Sequence, residues 1–249
     1  MWQLLKRLPV LRNPAIRRVL QQLPGIRQAK RAIRRRRRAY YRDFGRAKFV
    51  KKLHGSPEKR IVIGAWNKYD SGWIPTQRDF LDLTKPTDWD VFTPGSIDAL
   101  LAEHVWEHLS EDEGAAAAQT CFTYLKPGGY LRIAVPDGLH PDPEYIQTVK
   151  AGADGERPLT ALDGNAANHK ALYTYRTLQA QLEDAGFQVE LYEYFDEQGK
   201  FHYREWDQRK GTIWRSKRFD PRKGESVYPG TLGDYLSYSS IVLDAVRPA

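Results

Sequence analysis

The chain has 249 residues, of which 41% are hydrophobic, and this is enough for one α/β domain with appendages. Its single cysteine, Cys121, excludes a disulfide framework within one chain and favours a reducing, cytoplasmic compartment. No apolar run reaches the roughly 18 residues that a membrane span needs, and basic residues interrupt the opening apolar stretch. We therefore expect neither a transmembrane helix nor a signal peptide.

The net charge of +8 is distributed unevenly along the chain. Residues 1–60 carry 20 lysines and arginines against two acids, a local net charge of +18. The other 189 residues carry 19 basic and 29 acidic side chains, a net charge of −10. The basic character thus belongs to an N-terminal arm, predicted to cover residues 1–55, and indicates little about the rest of the chain.

Three interpretations of this arm remain open. Apolar residues such as Trp2 and Leu5 beside arginines would suit docking on an anionic membrane surface, which would make the protein peripheral to the membrane. The arginine run at 34–38, followed by Tyr40 and Tyr41, would suit RNA. A partly disordered, solubilising tail has the same composition.

Residues 56–249 have the pattern of one α/β domain. Apolar runs predict strands at 60–64, 73–77, 80–83, 97–103, 130–135, 188–194 and 240–246. A helix is predicted over 174–185, with Gly186 as its stop. A loop at 137–169 and an insertion at 195–239, which is dense in aromatic and charged residues, complete the domain.

The stretch from residue 96 to 137 is the most informative. Ser110 and Glu113 form a predicted capping box at the start of a helix that ends before Pro127. Gly128 and Gly129 can turn the chain back with positive φ into the next strand. Such a strand–helix–strand crossover is the unit of a parallel sheet, which binds ligands at the carboxyl ends of its strands.

The same stretch contains EHVWEHL, LKPGG and LRIAVPD in order. It resembles the class I S-adenosylmethionine-dependent methyltransferases, in particular a bacterial, type-11-like group. The resemblance covers residues 61–246. It implies a Rossmann-like, doubly wound and mostly parallel seven-stranded sheet, with S-adenosylmethionine as the cofactor.

The resemblance also implies a set of cofactor-binding residues. Gly64 ends the first strand, and Trp66 stands where the family has a second glycine. Gln77 stands where the family has the carboxylate that binds the ribose, so Asp79 could serve instead. Asp82 matches the acid that faces the adenine. The full set is Gly64, Ala65, Trp66, Gln77, Asp79, Asp82, Leu83 and Glu103.

Catalytic and substrate residues are expected after the fourth and fifth strands. The catalytic candidates are Glu103, His104 and His140, because histidine titrates near neutral pH and could remove a proton from the acceptor. The substrate-binding candidates are His140, Asp142, Tyr145, His169 and Tyr173. His104 and His108 have the spacing of a helical metal pair, to which His140 and His169 could add ligands, but we expect no metal, since His104 falls at the strand edge.

The expected function is methylation of a hydroxyl or amine on a small-molecule or glycan-like acceptor. One alternative is a catalytically silent, methyltransferase-like binding or scaffold protein, because Trp66 and Gln77 depart from the family pattern. Another is an RNA methyltransferase that holds its substrate with the basic arm. The sequence does not indicate an oligomeric state.

Overall fold

The computed structural model describes residues 28, 32–33, 35–36, 39–65, 69–152, 168–219 and 239–249. The chain divides into two compact units, Met1–Lys48 and Phe49–Ala249. A π-helix at Tyr41–Gly45 leads into helix α1, Arg46–His54. Phe49 and Leu53 of α1 are buried in the core of the second unit, so this unit begins within α1 rather than at residue 56.

The described residues form one seven-stranded sheet. Its strands are β1 (Arg60–Ile63), β2 (Ile74–Pro75), β3 (Ile97–Glu103), β4 (Leu125–Pro136), β5 (Gln188–Phe195), β6 (Phe201–Tyr203) and β7 (Ser240–Val246). Their order across the sheet is β2-β1-β3-β4-β7-β5-β6. The first four strands in this order are mutually parallel, β7 is antiparallel to β4 and β5, and β6 is antiparallel to β5. Five of the seven strands therefore run in one direction, and the predicted mostly parallel sheet is confirmed.

One predicted strand was wrong. Residues 80–83 form a turn, in which the N–H groups of Phe80 and Leu81 donate to the Gln77 carbonyl. Their side chains are buried in the core, and a short apolar run of this kind does not reveal whether it enters the core from a strand or from a turn. The seventh strand is instead β6, which lies in the insertion and pairs with β5.

The helices follow the sequence signals. The capping box of Ser110 and Glu113 is present at the start of helix α2, Glu111–Tyr124. Gly128 has φ +76 and lies within the first residues of β4, where the pairing with β3 is irregular, whereas Gly129 does not have the expected positive φ. Helix α3 covers Pro143–Val149, and helix α4 covers Tyr175–Asp184, after which Gly186 has φ +100. No helix in the described ranges is long and apolar enough to cross a membrane.

The two faces of the sheet are covered differently. On one face, strand residues such as Leu100 and Ile133 pack in a single apolar cluster with residues of α1, α2 and α4. On the other face, Leu101 and Val242 pack against Trp206 and Ile213. Trp206 and Ile213 belong to residues 204–219, which we call the cover segment.

A buried arginine attaches the cover segment to the sheet. Arg132 of β4 is fully buried, and its Nε and Nη2 donate to the two carboxylate oxygens of Asp244 on β7, at 2.7 and 2.9 Å. Its Nη1 donates to the carbonyls of Asp207 and Gly211, at 2.9 and 2.7 Å. The guanidinium carbon lies 5.0 Å from the centre of the Trp206 ring. One buried charge thus joins two strands and the segment above them.

A buried glutamate makes the second attachment. Glu193 of β5 accepts hydrogen bonds from Trp206 Nε1 at 2.8 Å, from the Ser216 hydroxyl and from the Lys217 N–H at 2.8 Å. Gly211 has φ +109, and a Cβ there would lie 2.5 Å from Leu101 Cδ1. The segment therefore approaches the sheet so closely at Gly211 that only glycine fits.

We predict that Arg132→Met lowers the free energy of unfolding by about 3–5 kcal/mol, because it leaves the Asp244 carboxylate buried without a cation, with only the Tyr192 hydroxyl donating to it. Urea unfolding followed by circular dichroism measures this change. The double variant Arg132→Met/Asp244→Leu should recover much of the loss, since no charge then stays buried.

Arg209→Met is the matched control, because Arg209 also pairs with an aspartate but has a side chain that is 91% exposed. We expect this control to change the free energy of unfolding by less than about 1 kcal/mol. Equal effects of Arg132→Met and Arg209→Met would contradict the proposed importance of Arg132.

Candidate functional site

The candidate site lies where the parallel strands end. Gly64 follows β1, Gln77 follows β2, His104 follows β3 and Asp137 follows β4, so all four lie at one edge of the sheet. The chain passes from β1 to β2 on one side of β1 and then to β3 on the other. Such a reversal opens a crevice between neighbouring strand ends, and the ligands of open α/β sheets bind there.

Gly64 forms one wall of this crevice. It has φ +74, and a Cβ on it would lie only 3.0 Å from Val105 Cγ2, in the residues that follow β3. A glycine is required for this conformation and this approach. Ala65 packs beside the apolar cluster under the cover segment. Trp66, the departure from the family pattern, lies outside the described residues.

The residues after β2 have different environments. Gln77 is buried at the strand end, and Asp79 is half-buried in the turn that follows. Leu83 is part of the apolar core. Of these three predicted cofactor residues, Gln77 and Asp79 are polar groups near the edge, whereas Leu83 contributes packing.

Asp82 organises its own turn. Its Oδ1 accepts hydrogen bonds from the Thr84 N–H and hydroxyl, at 3.0 and 2.7 Å, and its Oδ2 accepts one from Arg78 Nε at 3.1 Å. Burial alone would raise the pKa of Asp82, but the hydrogen bonds from Thr84 and Arg78 outweigh it and lower the pKa. Both carboxylate oxygens therefore already have protein donors.

Glu103 attaches the cover segment at the ligand edge. Its Oε1 accepts hydrogen bonds from the backbone N–H groups of Trp214 and Arg215, at 2.8 and 3.0 Å. Burial raises the pKa of Glu103, and the two N–H groups oppose this shift. The Trp214 side chain is 55% exposed, so its indole presents an aromatic surface beside the edge.

His104 is held in an unusual conformation. Its φ is +52, the one positive value among the described residues that are not glycine. Its Nδ1 lies 3.0 Å from Glu107 Oε1 and its Nε2 lies 3.1 Å from Ser240 Oγ, so both ring nitrogens are engaged. A left-handed backbone costs roughly 1–2 kcal/mol in a residue with a Cβ, which the surrounding contacts must offset. These contacts fix the imidazole at the end of β3.

Glu107 has a carboxylate oxygen without a partner. The side chain is 1% exposed, and its Oε2 has no hydrogen bond within the described structure. Burial raises the pKa of Glu107 to about 7, against the opposing effects of His108 and His169. Among the described residues, Glu107, His108 and His169 also form a group that could hold a metal ion.

His140 and Asp142 present two more buried atoms without partners. The Asp142 N–H donates to His140 Nδ1 at 3.2 Å, so the proton of a neutral imidazole is on Nε2. Burial lowers the pKa of His140, which keeps the ring neutral. Neither His140 Nε2 nor Asp142 Oδ2 has a hydrogen-bond partner within the described structure. The segment after β4 thus contains one buried donor and one buried acceptor that have no partner among the described residues.

The other predicted substrate residues divide between edge and core. Tyr145 lies against the His140 ring, with ring centres 4.4 Å apart, and its hydroxyl donates to the Ser239 carbonyl at 2.8 Å. Tyr173 is buried in the apolar core, where a Cβ on Gly114 of α2 would approach its hydroxyl to 2.9 Å. Tyr145 therefore lies at the ligand edge, whereas Tyr173 lies in the apolar core.

Sequence reasoning missed three contributors to this edge. Ser240 holds His104, the backbone of the cover segment holds Glu103, and Asp137 accepts hydrogen bonds from the N–H groups of Leu139 and Phe195, at 2.9 and 2.7 Å. Burial raises the pKa of Asp137 to about 6. Asp137 directly follows the last residue of β4, and this position was the one feature of the sequence that could have identified it as part of the edge.

A family model described as a methyltransferase domain matches residues 26–192. Since this match covers more than half of the sequence, the chain belongs to that methyltransferase family. It is an S-adenosylmethionine-dependent methyltransferase. The match begins upstream of residue 56, where the domain was expected to start. No curated protein matches the chain.

Several solved structures are similar to the chain at low identity. A possible histamine N-methyltransferase from Thermotoga maritima is 14% identical, with 89% of this chain and 95% of that chain covered and a TM-score of 0.40. A methyltransferase from Mesorhizobium loti is 15% identical, with 77% and 92% covered and a TM-score of 0.43. A possible exported protein from Bordetella parapertussis is 15% identical, with 95% and 74% covered and a TM-score of 0.38. The family assignment rests on the family model alone.

We predict that Asp82→Asn lowers the free energy of unfolding by about 1–2 kcal/mol at pH 7 without any cofactor present, because it weakens the bonds to Arg78 and Thr84. A lowered pKa in the folded state means that the carboxylate stabilises the fold above its ordinary pKa of about 3.9. This contribution is lost as the pH falls through the lower folded value. The difference between wild type and variant should therefore shrink as the pH falls below about 4.

Urea unfolding between pH 7 and pH 3 measures this difference. Asp90→Asn, at an exposed carboxylate in the same region, is the control and should change little. A variant of unchanged stability that lost affinity for S-adenosylmethionine would show that Asp82 serves the cofactor and not the turn.

Proposed function

We propose that the chain transfers a methyl group from S-adenosylmethionine to a hydroxyl group of a small-molecule or glycan-like acceptor. The observation that carries the proposal is the pair of unpartnered atoms after β4, His140 Nε2 and Asp142 Oδ2. A hydroxyl group accepts one hydrogen bond and donates another, so it suits this pair of groups. It still has a second lone pair with which to attack the methyl carbon.

The described residues fit the cofactor at the crevice between β1 and β3. Gly64 ends β1 at the crevice with φ +74, so the methionine part would lie beside it. The amide of Gln77 and the carboxylate of Asp79 can both accept hydrogen bonds from ribose hydroxyls. We leave Asp82 out of this set, because its oxygens already accept hydrogen bonds from Thr84 and Arg78.

The acceptor side has the following roles. His140 donates a hydrogen bond that orients the acceptor oxygen, and Asp142 takes its proton as the oxygen–methyl bond forms. S-adenosylmethionine would supply the methyl group, with its sulfur keeping the electron pair of the broken sulfur–methyl bond, and would leave as S-adenosylhomocysteine. His104 is a positioning residue, since Glu107 and Ser240 engage both of its nitrogens. Glu103 holds the cover segment and takes no catalytic role in this proposal.

An amine is a poorer acceptor for this pair. A neutral amine has one lone pair, and accepting a hydrogen bond from His140 would occupy the electrons that must attack the methyl group. The exposed indole of Trp214 supports a sugar-like acceptor. A sugar ring combines an apolar face that packs on an aromatic surface with hydroxyls at its rim.

Two alternatives remain as outcomes of an experiment. An RNA methyltransferase would depend on the arm at 1–55, whose described part includes exposed Arg35 and Arg36. A catalytically silent binding protein would not transfer the methyl group of S-adenosylmethionine, and membership of the methyltransferase family disfavours this alternative.

We also propose a cytoplasmic location for the protein and docking of the arm on a membrane surface.

The test uses methyl-labelled S-adenosylmethionine with a host extract that is separated into small molecules and glycans, RNA, and protein. We expect label in the first fraction, in a product that resists the mild alkali that would release methanol from a methyl ester. Asp142→Asn should reduce the rate by about 100-fold or more, because the new amide nitrogen cannot accept a proton. The amide oxygen can still accept the Glu144 N–H that caps α3, so the helix should be retained.

Glu144→Gln, at an exposed carboxylate two residues along, is the matched control and should retain full activity. Affinity for S-adenosylhomocysteine, measured by calorimetry, should be the same for wild type and both variants. Label in RNA that depends on residues 1–55 would support the RNA alternative. Full activity of Asp142→Asn would exclude the proposed base.

A further inference from the structure

A group of three potential metal ligands lies beside the proposed methyl-transfer site. Glu107 and His108 belong to the 3₁₀ turn Trp106–His108 after β3, and His169 lies in the segment before α4. One ligand atom from each residue lies within 4.8 Å of the others. The two imidazole rings meet edge to face, with centres 5.0 Å apart. Methyl transfer as proposed above uses none of these three as a reacting group.

Both histidines are held in the tautomer that leaves Nε2 available for ligation. His108 Nδ1 lies 3.3 Å from the Asn168 carbonyl, and His169 Nδ1 lies 2.8 Å from the Val149 carbonyl. A carbonyl only accepts, so each Nδ1 must carry the proton, and each Nε2 keeps a free lone pair. Metal-binding histidines are held in this way, with the far nitrogen donating to a carbonyl or carboxylate that fixes the tautomer and the ring.

The carboxylate supplies an independent indication. Glu107 is almost completely buried, and while Oε1 bonds His104, Oε2 has no partner within the described structure. A buried carboxylate oxygen without a partner is costly unless a cation or a donor satisfies it. His108 and His169 cannot donate to Glu107 Oε2, because their protonated Nδ1 atoms already donate to backbone carbonyls. A metal cation would satisfy this oxygen instead.

The backbone holds the three residues together without any ion. The Glu107 carbonyl accepts hydrogen bonds from the N–H groups of Lys170 and Ala171, at 2.8 and 3.2 Å. These bonds fix the two residues that follow His169 against the turn that carries Glu107 and His108. The group is therefore preorganised, and only small side-chain rotations would be needed for binding.

We propose that Glu107, His108 and His169 bind one divalent transition-metal ion, with zinc as the reference ion. Two imidazole nitrogens and one carboxylate oxygen are a ligand set that suits zinc, leaving further coordination positions open. Tetrahedral ligands at about 2.1 Å from zinc lie roughly 3.4 Å apart, so the three atoms must approach one another by about an ångström. The ion neutralises the carboxylate that orients His104, and it fastens residues 168–171 to the ligand edge.

The test uses the full chain without a histidine tag, stripped with a chelator and then titrated with Zn(II) and Co(II). We expect one equivalent of zinc per chain by elemental analysis, and visible absorption from bound Co(II) that zinc abolishes. His108→Gln and His169→Gln should each weaken zinc binding by at least about tenfold. Zinc should also raise the melting temperature of the wild-type chain, because it binds only the folded state.

His202→Gln is the matched control. His202 Nε2 lies 2.6 Å from Asp196 Oδ2, so it is also paired with a carboxylate but has no part in the three-residue group. This variant should bind zinc as the wild type does. Should His169→Gln fail to fold by circular dichroism, His108→Gln decides alone.

The proposal is overturned if the stripped wild-type chain binds no zinc at micromolar concentrations, or if His108→Gln binds it as tightly as wild type. Loss of zinc binding in His202→Gln alone would also overturn it. These outcomes do not depend on methyl transfer, because stoichiometry, absorption and melting temperature are measured without a methyl acceptor.

Discussion

The buried guanidinium of Arg132 is the constraint on which the ligand edge depends. A charge in the middle of a sheet is tolerated only when it is paired and hydrogen-bonded, and Asp244 with the carbonyls of Asp207 and Gly211 supplies these partners. Two of these acceptors belong to the cover segment, so the segment must follow one path. That path brings the N–H groups of Trp214 and Arg215 to Glu103, beside His104.

Hydrogen bonds also join the carboxyl ends of β3, β4 and β5 to one another and to the start of β7. At the start of β7, the Ser240 hydroxyl is hydrogen-bonded to His104, and the Ser239 carbonyl accepts a hydrogen bond from the Tyr145 hydroxyl. Asp137 after β4 holds the end of β5 through the Phe195 N–H. These bonds join residues that are far apart in sequence, and they place His104 and the His140–Asp142 pair at one edge. Among the described residues, the proposed chemistry relies on two atoms at this edge that have no hydrogen-bond partner, His140 Nε2 and Asp142 Oδ2.

Local sequence signals predicted much of the fold. The capping box at Ser110, the stop at Gly186 and the positive φ at Gly128 involve residues within a few positions of one another, and each is present. The position of the crevice followed from the parallel strand order. The strand expected at 80–83 failed, because an apolar run of four residues can enter the core from a turn equally well.

The attachment of the cover segment could not be predicted in this way. In the sequence, Arg132 is one polar residue within an apolar strand, and its partner Asp244 lies 112 positions away. Asp82 matched a family position, yet the structure occupies both of its oxygens locally. The group of Glu107, His108 and His169 depends on a fold that brings residue 169 back to the turn after β3. Such pairings arise from tertiary structure and leave no local pattern.

A crystal structure of the chain with S-adenosylhomocysteine tests the central claim most directly, namely that the cover segment fixes a ligand crevice between β1 and β3. We predict the homocysteine part beside Gly64, the sulfur on the side of His104, and the N–H groups of Trp214 and Arg215 still bonded to Glu103. Product bound away from the carboxyl ends of β1 and β3, or Glu103 released from the cover segment to bind the product, would contradict the claim.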